Sequence, residues 1–592
     1  MSCDRPGKAP ATIIRFFSFI TVWLCWSGLV LAGKPAQREE FTKSFHKAVQ
    51  LSPGLGIRID HRHGDIVIRT HRLEEARIDA TIRVSAATKA DATRFGDQIE
   101  IQVEQTAAAV SIRTKYPESR DGSLFRRQNV SFSVDYQIVI PESAPLNVRN
   151  SFGNVSVSQL KASADITNAH GLLTFKDGEG TQRLENSFGG VEVTGNRGDV
   201  TIANGNNFVT VANVDGSVNV RNRFGNVTAT KISRAATIVN SNGNVLLTGA
   251  AGPSSIANSF GAANASDITG DIIVKNNNGA VDARNIQGGA ELSTSFGSIN
   301  FFDIGRRLAC IATNTRITGS KVAGGAVVRT TFGAVELRDL GGDTEVQNSN
   351  GKISIQDVRG EALLKTSFGA IEAMGISGNA TVSNSNAGTT LSNVQGVVDI
   401  RSSFGPIDVS GIRKGVKIVS GNSNVTIAGI ADAAYVKTTF GLIKASRIGG
   451  SLTAENSNGG VTGSSIKGAA NVRTSFSSVI LDGVSGGVDV YNQNGSIEVL
   501  GLAAKTPGSP GCNPIILRTS FSPIRVYLPE DAGFNVTART SFGKINSELP
   551  LTVSGSLSAD ALSGKIGTGE CELNLTNNNG NIEILRASLK KK

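Results

Sequence analysis

Residues 330–347 read T-T-F-G-A-V-E-L-R-D-L-G-G-D-T-E-V-Q, and residues 348–365 read N-S-N-G-K-I-S-I-Q-D-V-R-G-E-A-L-L-K, before T-S-F-G returns at Thr366. Two eighteen-residue lines make a thirty-six-residue unit, one with Phe before its glycine and the other with Asn. Phe recurs at 152, 188, 224, 260, 296, 332, 368, 404, 440 and 476 without insertion or deletion. Midway between stand His170 and then Asn206, Asn242, Asn278, Asn314, Asn350, Asn386, Asn422, Asn458 and Asn494. A short fixed period held over about twenty lines marks a solenoid, in which each line is one coil stacked on its neighbours.

Inside a line the apolar residues fall two apart, at Val335 and Leu337, then at Leu340 and Val346. The same columns hold Ile371, Ile407, Val425 and Ile443. Spacing of two means strands, and helical spacing is absent. Glycine marks two corners per coil, at Gly333, Gly351 and Gly369 and again at Gly324, Gly342, Gly360 and Gly378. Thr315, Ala387, Ser423 and Ser477 take the first corner without an evident reason. The expectation is an all-β, parallel β-solenoid of about twenty 18-residue coils in 36-residue double repeats. It predicts a third short side near Leu340, right-handed winding by the crossover rule, and a rod about 95 Å long at normal strand spacing.

We take the Phe/Asn column as inward, which makes Phe332 and Phe368 core members that stack every second coil, about 9.6 Å apart. An outward column is instead an exposed aromatic row suited to a glycan. Two residues earlier runs a polar column, Asn150, Asn168, Asn186, Asn204, Asn222, Asn240, Asn258 and Asn276, later mostly Thr and Asn. Such a ladder satisfies backbone groups that the corners leave unpaired.

With 592 residues, 68 of them Gly, and 5% aromatics, the chain is too long for one ordinary core. Residues 1–32 read as a signal peptide: Arg5, Lys8 and Arg15, then the apolar run Phe16–Ala32, with Val30-Leu31-Ala32 before cleavage. This predicts export to the periplasm, cell surface or medium, and no transmembrane segment in the mature chain. Loss of those residues takes the net charge from +10 to about +8, a mild preference for anionic surfaces. Residues 33–133 form a β-rich N-terminal cap region, 134–503 the regular repeats, and 504–592 irregular coils and a C-terminal cap. A short helix is expected around Ala86–Gly96. Cys310 falls in an inward column, whereas Cys512 and Cys571 can pair in an oxidising compartment.

The pattern N-x-N-G-x-I-x-I, the segment Val134-Asp-Tyr-Gln-Ile-Val-Ile-Pro-Glu142, Leu528-Pro-Glu-Asp531 and Asn579-Gly-Asn-Ile-Glu-Ile584 resemble the bacterial putative-adhesin domain family. That resemblance spans most of residues 40–586. It implies a β-solenoid domain of unknown function found in exported and envelope proteins.

Chemistry is sparse. His61-Arg-His63 superimposes on Asn348-Ser-Asn350, which reads as a turn ladder rather than a metal site. A β-helical polysaccharide lyase or glycosidase needs clustered acids at one place, but Glu336, Glu372 and Asp408 form a repeated outward column. No nucleophile elbow, phosphate loop or calcium-binding nonapeptide occurs. The chain therefore reads as non-catalytic, without cofactor or metal, adhesin-like or structural in the envelope, with no nucleic-acid partner. Three residues before each Phe lies a column that is basic in five consecutive units: Arg329, Lys365, Arg401, Lys437 and Arg473. It reads either as a solvated face or as a stripe for an anionic polysaccharide or another envelope polyanion.

Overall fold

The computed structural model describes residues 38–117, 130–506, 508, 510–530, 532–554, 558 and 560–587. Residues 1–32, expected from the sequence to be a signal peptide, lie outside them. The chain is an almost purely β, parallel solenoid of about twenty turns. One coil illustrates the rest. Strand Ala326–Thr330 turns Ala326, Val328 and Thr330 inward. Strand Val335–Leu340 turns Val335, Leu337 and Leu340 inward. Each strand pairs with the one eighteen residues on, Ala326 with Thr344 and Val335 with Ile353. The branched inward residues fill a narrow interior, so each coil buries its apolar columns against its neighbours.

Three bends close a coil. At the first, glycines stack directly on one another. Gly243 has φ +131°, and a Cβ there would lie 2.2 Å from the carbonyl oxygen of Gly225, a collision that only glycine avoids. The non-glycine residues at this corner are now accounted for in part. Asn207, which also takes this corner, and Ser477 adopt positive φ themselves, whereas Thr315, within the strand Leu308–Val322, does not. A second bend is a left-handed residue at every eighteenth position from Gln159 to Gly501, including Asp339 and Gly375. It turns the chain just before the buried Leu340 and creates the third short side. The glycine pair Gly341-Gly342 completes the turn.

Both ends break the sequential order in the same way. The strands of the last coil, Cys571–Asn577 and Ile582–Arg586, insert between Ile515–Leu528 and the outermost segment Phe534–Ser547. At the other end, Gly56–Asp60 and Ile66–His71 sit between the Leu146–Ser158 coil and the strands Ala109–Lys115 and Ser131–Pro141. An antiparallel layer covers that end, Glu39–Gln50 on Glu75–Ala86 on Ser131–Pro141. The helix Lys89–Asp97, capped by the Thr88 side chain, packs on it. The outermost strand Glu39–Gln50 is mostly exposed and carries Lys43, His46 and Lys47, side chains that discourage further strand pairing.

The structure overturns the inward reading of the Phe column. Phe332 is 50% exposed and Phe368 is 63% exposed. The reason is the corner. Alternation runs inward at 326, 328 and 330, but the chain bends at 331–334, with Gly333 at φ +98°. The bend breaks the period of two, so Thr330 is the last inward seat and Phe332 swings to solvent.

Candidate functional site: an aromatic edge beside a paired basic column

The buried Asn column comes first, because it sets the corner on which the Phe stands. Asn168 Nδ2 donates to the carbonyls of Gly153 at 3.1 Å and Gly171 at 3.3 Å. Asn384 Nδ2 reaches Gly369 O at 3.2 Å, Ala387 O at 2.9 Å and Gly388 O at 3.2 Å. Asn204, Asn222 and Asn240 also link side chain to side chain, each step at 3.1 Å. One amide thus ties its own corner to that of the preceding coil.

Two residues on, the exposed column alternates Phe and Asn. Cα register holds them in line, Asn206 beside Phe224, Phe224 beside Asn242 and Asn242 beside Phe260. The Asn amides fold back to the preceding coil, as Asn386 Nδ2 does to Ser367 O at 2.9 Å. At the N-terminal end, His replaces Asn and the rings form a continuous stack. His63 and Phe152 lie 5.1 Å apart, Phe152 and His170 4.7 Å, and His170 and Phe188 4.6 Å, with planes within 6°. Beyond Phe188 the stack opens. A groove of about 650 Å³ lies between Phe188 and Phe224, floored by Asn206 and flanked by Glu185, Arg221 and Arg223.

The five basic residues project from the sheet face just before this edge, exposed and one per double repeat. Four of them meet a carboxylate. Arg329 lies 3.0 Å from Glu345, Arg401 3.4 Å from Asp399, Lys437 2.9 Å from Glu455 and Arg473 2.8 Å from Asp489. Arg518 also approaches Asp489, at 3.7 Å. Lys365 stands in register with Gln347 and Ser383 and makes no ion pair among the described residues. The hydrogen bond from Arg473 holds the Asp489 carboxyl below its usual range, and that from Lys437 does the same to Glu455. Glu455 stands in the basic column itself, on the coil after Lys437, and reads from the sequence as diluting the stripe. Glu345, Asp399 and Asp489 stand one column over, two places earlier in their strands, and spacings of two and sixteen residues carry their signal.

His61 and His63 take the places of the two columns at the N-terminal end. His61 is buried, its Nδ1 3.0 Å from Thr114 Oγ1 and its ring edge-on to Tyr136. Burial and the nearby His63 hold its imidazole at about 4. Among the described residues no group of three or more His, Cys, Asp or Glu is placed to hold a metal ion. The described carboxylates with displaced pKa values, Glu75, Glu455, Asp489 and Glu570, are all shifted downward by a basic neighbour. A glycosidic general acid needs the opposite displacement. Cys310 is fully buried and free, and burial pushes its thiol up. Cys512 and Cys571 are joined by a disulfide, Cα–Cα 5.2 Å, which ties the inserted last coil to the start of the Ile515 strand. No described helix is long and apolar enough to cross a membrane.

No family model matches the chain, and no curated protein matches it. The likeness to the putative-adhesin family therefore rests on its short motifs. A solved structure titled as a putative cell adhesion protein from Clostridium sporogenes aligns with 31% of this chain and 100% of its own, at 9% identity and a TM-score of 0.19.

Proposed function

We propose that the protein is a non-catalytic, exported, adhesin-like rod of the cell envelope that binds an extended anionic polymer along its length. The observation that carries this reading is one basic outward side chain at every second coil of a parallel sheet face over five consecutive double repeats, Arg329, Lys365, Arg401, Lys437 and Arg473. A catalytic site would break a repeat at one place. A long ligand matches a surface that repeats, because many weak contacts add.

The paired carboxylates define how such a polymer binds. Its acids replace Glu345, Asp399, Glu455 and Asp489 as partners of the stripe, while Lys365 is open from the start. Exposed ion pairs are worth only about 0–1 kcal/mol each, so the exchange costs little. Retention on an acidic polysaccharide column should therefore fall steeply with salt. Replacing all five basic residues by Ser should abolish it without changing the melting profile. A wild-type rod that shows no salt-sensitive retention on any polyanion ends this reading, as does a five-fold variant that binds as well. Release of new reducing or unsaturated sugar ends during the assay would point to an enzyme instead.

A further inference from the structure

We infer that the Phe edge is a self-association surface on which a second copy of this chain docks by interdigitation, each Phe entering the place above an Asn of its partner. Three features of the edge lead there. The first is spacing. Successive Phe residues stand two coils apart, about 9.6 Å, with a short Asn between them. Rings that fill every coil are already present in this molecule, in the His63–Phe152–His170–Phe188 run at 4.6–5.1 Å. A ring placed above each Asn from 206 onward would extend that stack at the same spacing. A second copy presents its rings at the required pitch because it has the same repeat.

The second is clearance. The residue before each Phe is Ser or Thr in nine of ten repeats, the exception being Arg223, and the residue after is Gly except at Ser477. Small neighbours let the rings stand clear of the backbone and let two edges approach closely, as in other interdigitated interfaces.

The third is area. The ten rings from Phe152 to Phe476 are 42–63% exposed. At roughly 100 Å² of exposed ring each they offer about 1,000 Å² per copy. A stable interface buries about 800 Å² per partner, and soluble monomers rarely leave so much apolar surface open. A twofold axis across the rods, set midway between a Phe and the next Asn, brings every Phe of one copy level with an Asn of the other. The basic column lies on the neighbouring sheet face, so the pairing does not depend on polymer binding.

The test is the mass of the full mature chain by sedimentation equilibrium over a concentration series in high salt. A dimer is expected. Changing Phe260, Phe296, Phe332, Phe368 and Phe404 together to Ser should weaken the dimer on the order of a hundredfold or more, with circular dichroism and melting unchanged. The deciding variant fills the gaps instead, with Asn278→Phe, Asn314→Phe, Asn350→Phe, Asn386→Phe and Asn422→Phe. Interdigitation predicts a monomer, because the partner's rings have no room. Non-specific apolar adhesion predicts tighter association, and that result overturns the inference. So does a wild-type chain that stays monomeric at all concentrations, including one whose Phe edge is occupied by a glycan.

Discussion

Two columns run side by side along the rod, two residues apart in every coil, and they reverse the common expectation for polar and apolar side chains. Asn348 is 3% exposed, while Phe332 in the adjacent coil is 50% exposed. The difference lies in what a tight corner requires. Where the chain turns, successive carbonyls converge on the interior and lose their strand partners. Only a side chain that donates can fill that place, and an unpaired buried carbonyl costs about 1–3 kcal/mol. Asn and Thr donate and Phe does not. The aromatic ring is therefore placed outside the corner, where its environment is decided by partners rather than by the core.

This contrast can be broken most severely from the inside. Asn384→Leu removes the donor shared by Gly369, Ala387 and Gly388. It should lower stability by about 4 kcal/mol around that coil, since several carbonyls are orphaned at once. Hydrogen exchange should locate the loss at residues 366–389, because solenoid coils interact with nearest neighbours. Full protection in the variant would mean that the ladder is incidental.

The N-terminal end offers both columns in titratable form. His61 occupies the buried column and His63 the exposed one. The folded pKa of His61, about 4, lies below the ordinary 6.5. The unfolded chain therefore binds more protons between those values. Its contribution is complete above pH 6.5 and is lost as pH falls toward 4, to the extent of about 3 kcal/mol. His63 is also lowered by burial, but it is better solvated and adds less. The cap should loosen on acidification, read as exchange at Ile57–His71, and His61→Asn should flatten that dependence because Asn is the residue of this column. An unchanged acid profile in His61→Asn would assign the effect elsewhere.

How much of this was legible beforehand follows from the same corner. Coil length, register and the inward columns at Val335, Leu337, Leu340 and Val346 could be read directly, because strands repeat with period two and the repeat has no gaps. The Asn ladder was legible because buried amides must pair. The Phe column was misread because the count of two was carried through a bend that breaks it. The left-handed column at Asp339, Asp357 and Gly375 escaped notice because it sits inside an apparently continuous strand. Its signal was the recurrence of Asp, Asn and Gly at one position. The insertion of Cys571–Arg586 between two earlier segments could not be read at all, since pairing across such distances leaves no local trace.

A smaller effect separates the closed and open parts of the exposed column. His170→Asn converts the stacked run into the Phe–Asn pattern of the later coils. It should cost about 1 kcal/mol, the worth of aromatic contacts with Phe152 and Phe188 beyond simple burial. It should also open a further gap, detectable as tighter self-association in the sedimentation series. Weaker association would argue that the existing ring stack, rather than the gaps, makes the contact.

The smallest expected change in fold stability is the most informative about the edge. Phe368→Ser should alter the melting of the monomeric rod by about 0.5 kcal/mol or less, as for other exposed positions. Leu364→Ala, four residues earlier and fully buried, should cost about 2–5 kcal/mol. The two substitutions lie in one coil and both remove a large apolar side chain, so the comparison isolates which side of the corner each occupies. A loss for Phe368→Ser as large as that for Leu364→Ala would return the ring to the core and remove the physical basis for an exposed edge. A near-zero loss leaves a row of rings that the fold does not require, kept in register from Phe152 to Phe476, for which recognition is the remaining physical use.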